Sequence, residues 1–141
     1  MLEWFIEANE TCRSGESGMD NSPRFDCADQ LDATDFNSFI ARECEIMAEF
    51  AATLGLDEDV GMWLKRYQKL CGLINERLWD EDAEFYVDYD VTLGKKSEVL
   101  ASSGFLPLLC GAASPQQAQK LADHLNDPES FGTPMPIPSI S

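Results

Sequence analysis

The chain has 141 residues, a length suited to one domain, and 44% of them are hydrophobic, enough for a real core. Ten Lys and Arg stand against 26 Asp and Glu, a formal net charge of −16. That charge repels polyanions, so nucleic acids and anionic membrane surfaces are excluded as partners, and its simplest use is solubility.

In chain order, Met1 to Cys12 reads as a helix with Trp4, Phe5 and Ala8 on one face. Glu3 interrupts the apolar start, and Glu7 and Glu10 follow, so no secretory signal is expected there. A polar loop rich in Gly, Ser, Asn, Pro and Asp runs from Arg13 to Thr34, and long ordered loops of this kind often carry function. The spacing then predicts a helix over Asp35–Leu54, with Phe36, Phe39, Ile40, Met47, Phe50, Ala51 and Leu54 as its apolar stripe. Thr34 or Asp35 is the expected cap, and Gly55 the expected stop. A second helix is expected from about Glu58 to Leu78, with Asp57 as N-cap and Val60, Trp63, Leu64, Tyr67, Cys71, Ile74 and Leu78 on its stripe. The short link makes these two helices an antiparallel pair.

Further on, Phe85 to Val91 alternates Phe, Val, Tyr, Val with Tyr, Asp, Asp, a short strand pattern. Val99 to Cys110 is expected to be helical, with Pro107 as an interruption. Ser114-Pro115-Gln116-Gln117 is a capping box with proline at the first helical position, and Asn126-Asp127-Pro128 stops the helix that follows. Alternate prolines keep Thr133 to Pro138 out of any helix. Cys12, Cys27, Cys44, Cys71 and Cys110 are scattered and odd in number, which argues against a disulfide framework or a zinc site and for a reducing, cytoplasmic compartment.

The chemistry concentrates in Glu16-Ser17-Gly18-Met19-Asp20-Asn21-Ser22-Pro23-Arg24-Phe25-Asp26. Gly18 allows a close backbone approach to a ligand, and Asn21-Ser22-Pro23 favours a turn. Arg24 offers a planar five-donor group for hydroxyls or a carboxylate. On residue types alone, a solvated turn is the better explanation of the segment.

This segment resembles the catalytic-acid loop of glycoside hydrolase family sixty-three and its trehalase-like and mannosylglycerate hydrolase-like relatives. Further stretches are similar in the same order: Asp35-Phe36-Asn37-Ser38-Phe39 with Arg42-Glu43, then Leu78-Trp79-Asp80, Phe85-Tyr86 and Asp88-Tyr89-Asp90. Gly104 to Leu108, His124-Leu125 and Phe131-Gly132-Thr133-Pro134 continue the series. The resemblance implies an all-α (α/α)6 toroid of helical hairpins, of which residues 1–141 would form one segment, incomplete at both ends. It implies inverting hydrolysis of an α-glucoside or α-mannoside without a cofactor or metal. Asp20 would be the general acid, and Gly18, Asn21 and Arg24 would shape the sugar subsite. Inversion requires a second carboxylate about 6.5–9.5 Å away. The family's base is a Glu beyond a segment like Phe131–Ser141, so the chain by itself is expected to be inactive and marginally stable. Glu16 is a poor substitute, because Gly and Pro prevent the helix that would align it with Asp20.

Other chemistries fit less well. Asp80-Glu81-Asp82-Ala83-Glu84 begins like a calcium loop, but Phe85 stands where Gly is needed and Val91 where Glu should close it. Gly15 to Gly18 lacks the nucleophile-elbow spacing, and His124 is the only histidine, expected at the surface or in packing. Phe85, Tyr86 and Tyr89 are candidates for sugar stacking or core packing. The rival class is a non-catalytic helical module for sugar binding or interaction.

Overall fold

The computed structural model describes residues 22–26 and 30–141. The expected Met1–Cys12 helix and most of the polar loop lie outside these residues. A 3₁₀ turn at Pro23–Phe25 precedes β1 (Leu31–Asp32), α1 (Thr34–Thr53) and α2 (Asp57–Leu78). Four short strands follow: β2 (Trp79–Asp80), β3 (Phe85–Tyr86), β4 (Tyr89–Asp90) and β5 (Lys95–Lys96). A second 3₁₀ segment, Ser102–Leu108, leads to α3 (Pro115–Asn126). The expected helix at Val99–Cys110 is thus a tighter 3₁₀ segment with Pro107 inside it.

The two long helices form the expected hairpin and make the most extensive contact between elements. Gly55 ends α1 at φ +72°, where its N–H donates to Ala52 O at 3.1 Å and the Leu56 N–H to Ala51 O at 2.9 Å. This double bond is the Schellman stop, and it needs a residue that tolerates left-handed backbone. At the other end the expected caps are corrected. Ala33 is the N-cap of α1 and Leu56 that of α2, each without a side-chain cap bond, while Thr34 and Asp57 are the first helical residues.

The face that α1 buries also differs from expectation. Asn37, Ser38, Ala41, Cys44, Ala48 and Ala51 point inward, at spacings of three and four, while Phe50 is 59% exposed and Leu54 72% exposed. Small residues let α2 and the second 3₁₀ segment approach closely, and this selects the small face over the bulky one. On α2, Leu70 rather than Leu64 joins Ile74 and Leu78 in the core.

The single strand expected over Phe85–Val91 is two strands in two sheets. β2 and β3 pair antiparallel, with Trp79 opposite Tyr86, and β1-β4-β5 form a separate antiparallel sheet, with Leu31 opposite Asp90 and Tyr89 opposite Lys96. Both hairpin turns use the same device. Asp80 Oδ1 accepts from the N–H groups of Asp82 and Ala83 at 3.0 and 2.9 Å, and Asp90 Oδ1 from those of Thr92 and Leu93 at 2.8 and 2.9 Å. The acidic run from Asp80 is therefore a turn-builder.

Phe85 centres the core. It stacks on Phe131 at 5.3 Å and meets Phe105 and His124 edge-on at 5.0 and 4.9 Å. Gly104 backs this cluster, where a Cβ would fall 2.1 Å from the Phe85 ring and 2.3 Å from the Tyr86 carbonyl oxygen. The capping box at Ser114 forms as expected. The proline-rich tail returns to Leu100–Ser102, where Ser102 N–H donates to Ser139 O at 2.9 Å and Ser141 N–H to Leu100 O at 3.0 Å.

Candidate active site

Ser22 and Pro23 start the first 3₁₀ turn. The Ser22 hydroxyl accepts from the Arg24 N–H at 3.3 Å, and its carbonyl from the Phe25 N–H at 3.1 Å. This turn drives Arg24 inward until its side chain has 0% exposure.

Two buried carboxylates meet the guanidinium there. Asp35 binds through Nη1 at 2.8 Å and Nη2 at 3.2 Å, and Asp88 through Nε at 2.7 Å and Nη2 at 3.0 Å. Both contacts are two-pronged, the geometry in which arginine holds carboxylates most rigidly. Burial pulls the guanidinium pKa down, but the bonds and charges of Asp35 and Asp88 outweigh it and leave the pKa above its usual value. Arg24 is therefore charged at any working pH. The Phe25 ring lies 5.3 Å from the guanidinium carbon.

Asp88 does a second job. Its Oδ1 accepts the Thr34 N–H at 2.9 Å and the Thr34 hydroxyl at 3.1 Å. A carboxylate from a segment far along the chain thus caps α1, where the helix dipole favours negative charge. Asp35 Oδ1 accepts a further N–H of the first turn, that of Phe36, at 2.9 Å. Asp88 thus takes the place of the capping side chain that Ala33 lacks.

The alternation pattern had put Tyr86, Asp88 and Asp90 on the polar side of a strand, yet all three are buried. Tyr86 on that side was the available signal that the face is not solvated. The turn at Val87-Asp88 is held by Val87 N–H to Leu78 O at 2.9 Å and Ser97 N–H to Asp88 O at 2.7 Å. The partnership of Asp88 with Arg24 spans 64 residues and has no local trace in the sequence.

Beside the clamp opens a cavity of about 210 Å³, lined by Pro23, Arg24, Leu31, Asp90, Leu93 and the Lys95–Val99 stretch. Lys96 at its edge donates to Trp79 O and lies 3.8 Å from Asp80, and Lys95 lies 3.7 Å from Glu98. Among the described residues no cluster of His, Cys, Asp and Glu could hold a metal ion, and no helix is long and apolar enough to cross a membrane.

Of the residues expected at the site, Gly18, Asp20 and Asn21 lie outside the described residues. Arg24 lies within them, and four of its hydrogen bonds go to the two aspartates. Phe85 and Tyr86 are core residues, and Tyr89 lies half-buried under Arg77, whose guanidinium carbon is 4.5 Å from its ring. His124 is a packing residue, with Nε2 3.0 Å from Ala83 O and Nδ1 3.1 Å from Ser130 Oγ.

The chain matches the mannosylglycerate hydrolase MGH1-like glycoside hydrolase domain over residues 10–141. It is 30% identical over 119 residues to mannosylglycerate hydrolase from Rubrobacter radiotolerans, covering 82% of this chain and 26% of the relative. It is 34% identical over 100 residues to human trehalase, covering 70% of this chain and 17% of that protein. Its fold superposes on GH63 mannosylglycerate hydrolase from Thermus thermophilus, solved in complex with glucose, with a TM-score of 0.77 at 24% identity, over 99% of this chain and 45% of that one. The chain thus spans about a quarter or less of the two curated relatives. Its helical hairpin and small sheets correspond to part of the (α/α)6 toroid.

Proposed function

Because the chain belongs to the mannosylglycerate hydrolase MGH1-like glycoside hydrolase domain family, we propose that it forms the general-acid side of an inverting glycoside hydrolase acting on an α-glucoside or α-mannoside. In this reading Asp20 protonates the glycosidic oxygen as the bond breaks. A glutamate from outside residues 1–141 activates water on the opposite face of the sugar, about 6.5–9.5 Å from the acid carboxyl. Gly18 and Asn21 approach the sugar through backbone and side chain, and Arg24 shapes the subsite by anchoring the loop that carries them. The free thiols of Cys44, Cys71 and Cys110 suit a cytoplasmic setting.

The observation that carries this reading is the clamp on Arg24. Arg24 lies four residues after Asp20 and is locked by two carboxylates from separate elements, so the chain is firmly anchored at Arg24. A general acid gains from such fixation, because small displacements of a catalytic group cost large factors in rate.

The test is Asp20→Asn in the full-length protein, assayed on α-glucosides and α-mannosides. The amide cannot donate the proton, so kcat should fall by roughly a hundredfold or more with folding unchanged. Retention of near-full activity would overturn the assignment, and sugar binding without turnover in the unaltered protein would favour a binding module.

A further inference from the structure

The bulky face of α1, turned away from the small residues it buries, is left uncovered by the described residues. Phe39, Met47, Phe50 and Leu54 are all exposed. At the helical period they fall on one stripe, about 80° wide, running most of the length of α1. Glu43 alone interrupts it, and Arg42, Glu45 and Glu49 lie on a different face. An aligned apolar stripe of this kind marks a docking surface rather than scattered surface residues.

The chain supplies an occupant. Phe25 packs with Phe36 and Ile40 around Leu31 and Ala33, so the residues before Ser22 continue from beside the first turns of α1, at one end of the stripe. Met1–Cys12 lies outside the described residues, and its sequence carries the complementary pattern. At helical spacing Met1, Trp4, Phe5, Ala8 and Cys12 share one face, and Glu3, Glu7 and Glu10 share the opposite one. Twelve helical residues span about 18 Å, and Phe39 to Leu54 spans about 22 Å. The nine residues from Arg13 to Asn21 reach up to about 30 Å, the whole length of α1, so either direction along the stripe is accessible. A tether this short keeps the segment at high effective concentration. A second copy of the chain is disfavoured by comparison, because a net charge of −16 makes two copies repel.

We propose that Met1–Cys12 docks as an amphipathic helix on the Phe39–Met47–Phe50–Leu54 stripe of α1. The Trp4 and Phe5 side of the segment meets the stripe, and its glutamates face water. The contact is apolar on both sides, so it buries area without desolvating a charge pair. The loop from Arg13 to Asn21 is then held at both ends, by this contact and by the bonds of Arg24 to Asp35 and Asp88. The docking itself is independent of the glycosidase reading.

The experiment places the photo-crosslinker p-benzoylphenylalanine at position 4 of the full-length protein, in place of Trp4, followed by irradiation, tryptic digestion and mass spectrometry. Cleavage divides α1 between the peptides Phe25–Arg42 and Glu43–Lys65. The expected product is the peptide ending at Arg13 joined to one of these two, at a residue of the stripe, in a species of monomer mass. The same probe in place of Glu7, on the opposite face, should join neither. Attachment of the position-4 probe to other peptides, attachment between two chains, or no attachment would overturn the proposal. Melting temperatures give a second reading. Trp4→Ala with Phe5→Ala, and Phe39→Ala with Phe50→Ala, should each lower the melting temperature, and all four together should lower it by less than the two losses summed. Strictly additive losses would mean that the two faces do not touch.

Discussion

The segment from Phe85 to Asp88 is gripped from two sides by opposite chemistries. On one side Phe85 packs into the aromatic cluster of Phe105, Phe131 and His124. On the other, three residues on, Asp88 enters the ionic clamp with Arg24, Asp35 and Thr34. The cluster stabilises through buried area and is tolerant of shape, since apolar contacts are many, weak and undirected. The clamp holds one positive and two negative groups out of water, where desolvation offsets most of their attraction. Its yield is direction, because few other geometries satisfy two carboxylates and a helix N-terminus at once. The same strand scrap thus separates a part of the molecule that supplies stability from a part that supplies position.

Conservative substitutions sharpen this contrast. Asp88→Asn keeps size and shape, but it turns one acceptor oxygen into a donor facing Arg24 and removes a charge partner. It should destabilise the protein by about 3–5 kcal/mol, the usual cost of breaking a buried pair from one side. Phe131→Met changes shape far more, yet it should cost only about 1.5 kcal/mol or less, because Met adapts to the space. Chemical denaturation of the two variants checks the order, and equal losses would erase the distinction. The smallest effect is expected on the core side, at Tyr67. Its hydroxyl is pushed up to about 12, chiefly by burial. The folded state therefore holds this proton more tightly than the unfolded chain, so the contribution is complete below pH 10 and is lost as pH rises from about 10 to 12. Tyr67→Phe should flatten that part of the stability curve, and an unchanged curve would contradict the assignment.

What the sequence made legible follows the same division. The helix pair, the Gly55 stop and the Ser114 capping box depend on neighbours within a few residues, and all could be read locally. The inward face of α1 could not, because its small residues and its bulky ones repeat at the same spacing and only the approach of α2 chooses between them. The missing local cap on α1 and the inward turn of Asp88 both come from contacts of Asp88 with Thr34, 54 residues away, and Arg24, 64 residues away, which no window of sequence contains. Arg24 stood out through its motif, but its buried partners Asp35 and Asp88 could not be read from it.

The most direct test of the account compares kcat for Asp88→Asn and Phe131→Met in the full-length protein, at a temperature where both remain folded. If the clamp positions the acid loop, Asp88→Asn should lower kcat by roughly tenfold to a hundredfold, the scale set by slight misplacement of a catalytic group. Phe131→Met should leave kcat within about twofold, since it alters stability alone. Equal kcat values in the two variants would contradict the claim that the Arg24 clamp serves position rather than stability.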